Sequence, residues 1–194
     1  MVCFHEARGA DVTVSAARVR LDRASSFGVL KTGAQGEIWS FEEKPDSPSA
    51  IPGDPAHAYV SMGNYLFDPD VLAGLLLAGH SRGATDFGHD ILPRLPGRQR
   101  IYAYDFARNR IPGVGGYEEP AYWRDVGTLE ALQEARNDIM GPEPLFNLSN
   151  AQWPIHRAGH SPFVPPSVRV PAERTGAIPL RLPAGQPQPR PSPA

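Results

Sequence analysis

Apolar and polar positions alternate from Asp11 to Val19 (Asp-Val-Thr-Val-Ser-Ala-Ala-Arg-Val), and this period of two with β-branched residues predicts a strand entering a sheet. Gly28-Val29-Leu30 and Ile38 to Glu43 are two further strand candidates, and the turn-forming stretch Gly33 to Gly36 between them predicts a hairpin. Tyr59 to Phe67 reads as a long strand and Ile101 to Phe106 as another. Helical spacing falls between these. Residues 1–10 read as the end of a helix stopped at Gly9, and Asp68-Pro69 supplies a cap and a first-turn proline for a helix through Val71, Leu72, Leu75 and Leu76. A short helix is expected around Ile91, Leu92 and Leu95, interrupted at Pro93. Leu129, Leu132, Ala135 and Ile139 mark one face of a helix that Thr128 can cap and Gly141-Pro142 can stop. Tyr122 and Trp123 suit a half-buried strand, so Asp125 is expected at a strand-to-helix junction.

Pro45 to Pro55 and Arg108 to Pro120 read as loops. Beyond residue 157 the chain is dominated by Pro, Arg, Ala and Ser, too little apolar surface to offset chain entropy. The expected organisation is therefore one domain over 1–157 and a disordered Pro-rich tail over 158–194.

The 194 residues suffice for a sizeable core. A net charge of -2, with basic and acidic residues interspersed, provides no electrostatic footprint for nucleic acid or an anionic membrane. Cys3 is the single cysteine, which rules out an internal disulfide or a cysteine-based zinc cluster and fits a reducing compartment. No apolar run approaches the roughly 20 residues of a membrane helix, and the amino terminus lacks a signal-peptide core. These features predict a soluble, cytoplasmic protein with no nucleic-acid or membrane partner.

Four segments carry candidate chemistry. Asp125, placed outside the end of a strand, suits a hard cation held against substrate phosphates; its bland alternative is a cap on Val126-Gly127-Thr128. Glu43 and Lys44 close the third strand before Pro45 turns the chain away. The carboxylate can accept hydrogen bonds from a polyol and the ammonium can offset a phosphate, whereas a solvated surface ion pair is the alternative. Ser61 offers a hydroxyl within an apolar strand next to Gly63, and Gly28 can present a bare backbone amide. Asp86, His89 and Asp90 read as capping groups, since adjacent helix positions point apart. Gly113-Val114-Gly115-Gly116 lacks the spacing of a phosphate-binding loop.

Taken in order, Gly-Ala-Asp-Val-Thr-Val (9–14), Ser-Ser-Phe-Gly-Val (25–29), Phe-Glu-Glu-Lys-Pro (41–45), Ser-Met-Gly-Asn-Tyr-Leu-Phe (61–67), Asp-Phe-Gly-His-Asp-Ile-Leu-Pro (86–93) and Tyr-Trp-Arg-Asp-Val-Gly-Thr (122–128) closely resemble the glucose-1-phosphate adenylyltransferase family. The resemblance runs to Asn150-Ala151-Gln152-Trp153-Pro154-Ile155. It implies an α/β fold, an incomplete Rossmann-like mixed sheet of the nucleotidyltransferase type. It implies transfer of an adenylyl group from ATP to glucose 1-phosphate, giving ADP-glucose and diphosphate for glycogen synthesis. By resemblance Gly28, Glu43, Lys44 and Ser61 contact glucose 1-phosphate, and Asp125 binds Mg²⁺, with Lys44 and Asp125 the catalytic pair.

The family's Gly-rich ATP-binding loop, its second metal-binding Asp and its carboxy-terminal β-helix have no counterpart in these residues. The resemblance therefore implies a partial enzyme, inactive alone and taking ATP only if the missing half is supplied. Two readings stand beside it: a non-catalytic subunit that associates with a homologous nucleotidyltransferase, and a nucleotidyltransferase for another sugar phosphate.

Overall fold

Every strand expected before residue 110 forms, with its ends within two residues of those expected. The computed structural model describes residues 1–155, which fall into two compact units, one spanning Met1–Pro112 and the other beginning at Gly113. The Pro-rich tail expected over 158–194 lies outside the described residues.

The first unit opens with helix α1 (Val2–Arg8), stopped by Gly9 in the left-handed conformation at φ 53°. Strands β1 (Val12–Arg20), β2 (Gly28–Thr32), β3 (Ile38–Glu43), β4 (His57–Phe67) and β5 (Ile101–Asp105) form one sheet in the order β3-β2-β4-β1-β5. β1 runs parallel to β5, and the other pairings are antiparallel, so the sheet is mixed. With helices packed on it, this is the expected α/β architecture.

Register explains where the core lies. Ile101, Ala103 and Asp105 pair with Val12, Val14 and Ala16; Leu30 pairs with both Phe41 and Tyr59. Cross-strand partners share a face, so Val12, Val14, Ala16, Leu30, Phe41, Ile101 and Ala103 make one buried surface, closed by Ile91, Leu92 and Leu95. The period of two then assigns Glu43, two residues after Phe41, and Ser61, two after Tyr59, to the core face. A polar site is thus built at the margin of the apolar layer.

β4 departs from regular pleating where the sequence places Gly63. Val14 pairs with Tyr65 but Ala16 pairs with Ser61, so four residues of β4 span two of β1, and Gly63 adopts φ 73° within the bulge. Ser61 is therefore at a bulge, not within a uniform strand. Bulges re-aim side chains, and here Ser61 Oγ lies 3.2 Å from Tyr65 Oη.

Helix α2 (Pro69–His80) begins as its sequence specifies, with Pro69 in the first turn and the Asp68 carboxylate accepting from the Asp70 and Val71 amides at 2.9 and 3.2 Å. Asp68→Ala is expected to lose about 1 kcal/mol, a fall in midpoint of roughly 2–4 °C, measurable by thermal melting. The following turn is π-helical over Phe87–Ile91 and 3₁₀ over Leu92–Arg94, with the change of pitch just before Pro93.

In the second unit, helix α3 (Leu129–Asp138) is capped by Thr128, whose Oγ1 accepts from the Ala131 amide at 3.1 Å. The strand expected at Tyr122-Trp123 does not form: residues 122–127 pair with no strand. Aromatic side chains there stack instead of entering a ladder, Tyr122 lying parallel to Phe146 with centroids 5.0 Å apart. The apolar face expected on α3 is covered only in part, since Leu129 and Leu132 are exposed while Ala135 and Ile139 are half-buried. Burial in this unit falls on Met140 and on Glu118, whose carboxylate is satisfied by the Gly115 and Asn147 amides at 2.7 and 3.0 Å.

Candidate functional site

The end of β3 faces the start of β2, and the two strands differ sharply in side-chain size there. Gly28 pairs with Glu43. A methyl group on Gly28 would stand 2.6 Å from Phe41 Cζ and 2.8 Å from Glu43 Oε2, so the absence of a side chain is what admits the carboxylate. The same oxygen lies 3.0 Å from the Cβ position of Gly88, which is also 3.2 Å from Asp86 Oδ1. Two glycines thus flank Glu43, and a second carboxylate stands beside it.

Lys44 follows immediately and holds a left-handed backbone, φ 49°. A non-glycine residue in that region costs on the order of 1 kcal/mol and persists where its surroundings fix it. Here the Lys44 amide donates to the Phe27 carbonyl at 3.0 Å. The side chain is exposed and, among the described residues, has no hydrogen bond or ion pair. Pro45 then prevents the chain from continuing as a ladder.

Tyr65 completes the constellation from the bulge in β4. Its ring stacks on Phe87 at 6.2 Å, which joins the bulge to the π-helical turn. Burial raises the pKa of its hydroxyl above the usual phenol value, the Ser61 hydrogen bond partly opposes this, and the charges of Glu43 and Asp86 raise it further. The hydroxyl therefore stays protonated at neutral pH and can donate.

Of the expected site residues, Gly28, Glu43, Lys44 and Ser61 all lie in the first unit. Gly28 and Glu43 are direct partners across β2 and β3, and Lys44 adjoins Glu43. Tyr65, Asp86 and Gly88 join this group although sequence reasoning gave them no substrate role. Asp86 does cap its turn, accepting from the His89 amide at 2.8 Å, and Asp90 accepts from the Thr85 and Asp86 amides. Both roles belong to one residue, because one oxygen of Asp86 reaches the backbone while the turn leaves it near Gly88. The signal was present in Asp86-x-Gly88 and in the Ser61-to-Tyr65 spacing, but the bulge that joins them is a tertiary feature.

Asp125 belongs to the second unit. It is exposed, sits in the irregular stretch before α3 rather than at a strand end, and makes no hydrogen bond or ion pair among the described residues. The capping alternative also fails, because Thr128 holds the cap. Mg²⁺ usually takes one or two protein carboxylates beside phosphate oxygens; Asp125 supplies one exposed carboxylate, and no group of three or more metal-binding side chains occurs among the described residues.

A family model described as Nucleotidyl transferase matches residues 1–141. The chain belongs to the nucleotidyl transferase family. Among its relatives are the glucose-1-phosphate adenylyltransferase of Thermodesulfovibrio yellowstonii, 48% identical over 81% of this chain and 39% of that protein. Glucose-1-phosphate adenylyltransferase 1 of Vibrio vulnificus is 44% identical over 86% and 40%. The glucose-1-phosphate adenylyltransferase of an Anaeromyxobacter species is 43% identical over 83% and 40%. The chain thus spans about two-fifths of the length of these curated relatives. Among the described residues, no helix of this chain is long and apolar enough to cross a membrane.

Proposed function

We propose that this chain binds glucose 1-phosphate and carries the sugar-phosphate part of a glucose-1-phosphate adenylyltransferase. The observation that carries the reading is the cluster of Glu43, Asp86, Ser61 and Tyr65 around Gly28 and Gly88, with a lysine beside it that has no side-chain partner among the described residues. Carboxylates accept from sugar hydroxyls, phenol and serine hydroxyls can donate to or accept from them, and an ammonium matches a phosphate. The identity to enzymes of that name supports the choice of sugar phosphate.

In the proposed reaction an oxygen of the sugar phosphate attacks the α-phosphorus of ATP and the bond to diphosphate breaks. Such catalysis is chiefly positioning and charge neutralisation. Glu43 and Asp86 orient the sugar ring, and Lys44 offsets the charge of its phosphate. Asp125 would hold Mg²⁺, which when bound neutralises charge on the reacting phosphates. None of the described residues forms a phosphate-cradling Gly-rich loop; Gly113 to Gly116 lacks the spacing. Transfer is therefore proposed to depend on a nucleotide-binding segment beyond these elements.

The test is formation of ADP-glucose from ATP, Mg²⁺ and glucose 1-phosphate, with the purified chain alone and mixed with the nucleotide-binding segment of a relative. Activity confined to the mixture is expected. Turnover by the chain alone would contradict the dependence on a second segment. Binding of glucose 1-phosphate without turnover in either sample would favour a non-catalytic subunit, and turnover with a different sugar phosphate would reassign the substrate.

A further inference from the structure

β4 is an interior strand of the sheet, yet it is paired on both sides over only part of its length. β1 accompanies it from His57 to Phe67, whereas β2 pairs with Tyr59 and Val60 alone. β2 begins at Gly28, level with Ser61, so from Ser61 to Phe67 no strand among the described residues lies on that side of β4. The backbone there is free to pair. The Asp68 amide donates to the Asp11 carbonyl at 2.9 Å, and amides of an antiparallel strand alternate in direction, so those of Tyr65 and Phe67 point away from β1.

Side chains on both faces hold this edge in place. Tyr65 and Phe67 pack on Phe87 against the core, with ring centroids 6.2 and 6.0 Å away. On the opposite face Leu66 pairs with Thr13, which is fully buried, its Oγ1 2.8 Å from Nδ1 of His5 in α1. Natural sheet edges are guarded by charges, prolines or bulges. β3, the outermost strand, ends in Glu42, Glu43, Lys44 and Pro45, whereas β4 has no charged residue and no proline from Ala58 to Phe67. The bulge at Gly63 interrupts β4 but leaves Tyr65, Leu66 and Phe67 in regular register.

We propose that this edge of β4 receives a strand of the nucleotide-binding segment on which transfer depends, and that the incoming strand is apolar on both faces. The inference rests on that reading of the function. Both faces are covered where β1 and β4 run together, so a strand added beside them lies under the same two layers, the setting that calls for a continuous apolar run. The edge is continuous with the proposed sugar-phosphate site, because Ser61 and Tyr65 belong to both. A strand laid along it continues the line of β2, and its near end abuts Gly28 beside Glu43. Pairing there brings nucleotide-side groups to the sugar phosphate. The curated relatives, of which this chain spans about two-fifths, have chain to supply such a strand.

The test is amide hydrogen exchange of the full chain, alone and mixed with the nucleotide-binding segment of a relative, with ADP-glucose formation read on the same mixture. Exchange at Tyr65 and Phe67 is expected to slow by about tenfold in the mixture, the equivalent of one net backbone hydrogen bond, while Leu66, directed at β1, is slow in both samples. Slowing at β3 instead, or at no strand edge while ADP-glucose still forms, would overturn the docking edge and leave the proposed function standing. Slowing at Tyr65 and Phe67 without ADP-glucose would uphold the edge and remove the catalytic reading. Neither slowing nor product would overturn both. Slowing in the chain alone that grows with its concentration would give the edge to a second copy and overturn the choice of occupant.

Discussion

Replacing Lys44 by alanine is expected to weaken glucose 1-phosphate binding by roughly 10- to 150-fold, the loss of a charged hydrogen bond worth about 1.5–3 kcal/mol. The backbone makes a second substitution more telling. Lys44 holds φ 49°, a conformation glycine adopts without penalty, so Lys44→Gly removes the ammonium and relieves the strain together. That variant should bind the sugar phosphate as poorly as the alanine form while melting no lower than the unsubstituted protein. Strain retained at a position that glycine would fill more comfortably is the mark of a side chain kept for its chemistry. Calorimetric titration with glucose 1-phosphate, paired with thermal melts, reads both quantities; equal affinity in all three proteins would remove Lys44 from the site.

Gly28→Ala is expected to damage stability and binding at once. The new methyl would lie 2.6 Å from Phe41 Cζ, a ring in the core, and 2.8 Å from Glu43 Oε2. Overpacking of this kind costs about 1–3 kcal/mol, and each kcal/mol lowers the midpoint by roughly 2–4 °C. Phe41 can yield only into a packed interior, and Glu43 must also give way, so the carboxylate leaves its seat opposite Gly28. Glucose 1-phosphate affinity should drop with it. Gly74→Ala is the control: nothing lies within 4 Å of its Cβ position in α2, and exchanging glycine for alanine in a helix adds about 0.5–1 kcal/mol. The same chemical change should thus act with opposite sign at the two positions. A Gly28→Ala protein that melts and binds like its parent would show that the glycine is not needed to seat Glu43.

Period-two alternation was enough to locate β1 to β5, and Asp68-Pro69 was enough to start α2, because these signals act within a few residues of themselves. The hairpin between β2 and β3 was equally local, and its register sets Gly28 opposite Glu43. What could not be read along the chain was the meeting of segments. The bulge at Gly63 turns Ser61 toward Tyr65, and the π-helical turn carries Asp86 and Gly88 to Glu43, through packing of Phe87 on Tyr65. Asp86 is the cap that its sequence predicts, and that local role conceals its place beside Glu43. Tyr122 and Trp123 misled for the opposite reason. Aromatic residues favour strands only when a neighbouring strand is there to pair; here Tyr122 stacks on Phe146 and carries the Arg124 guanidinium over its ring instead.

Glucose 1-phosphate is proposed to bind against the Gly28 and Glu43 pair. Amide resonances followed during a titration with that ligand test it most directly. The expected result is saturable shifts at Gly28, Lys44, Ser61 and Gly88, with the Gly33 to Gly36 turn at the far end of the hairpin unmoved and glucose or inorganic phosphate alone producing weaker changes. Shifts concentrated at the far turn, or no saturable shift at Gly28 and Lys44, would contradict it.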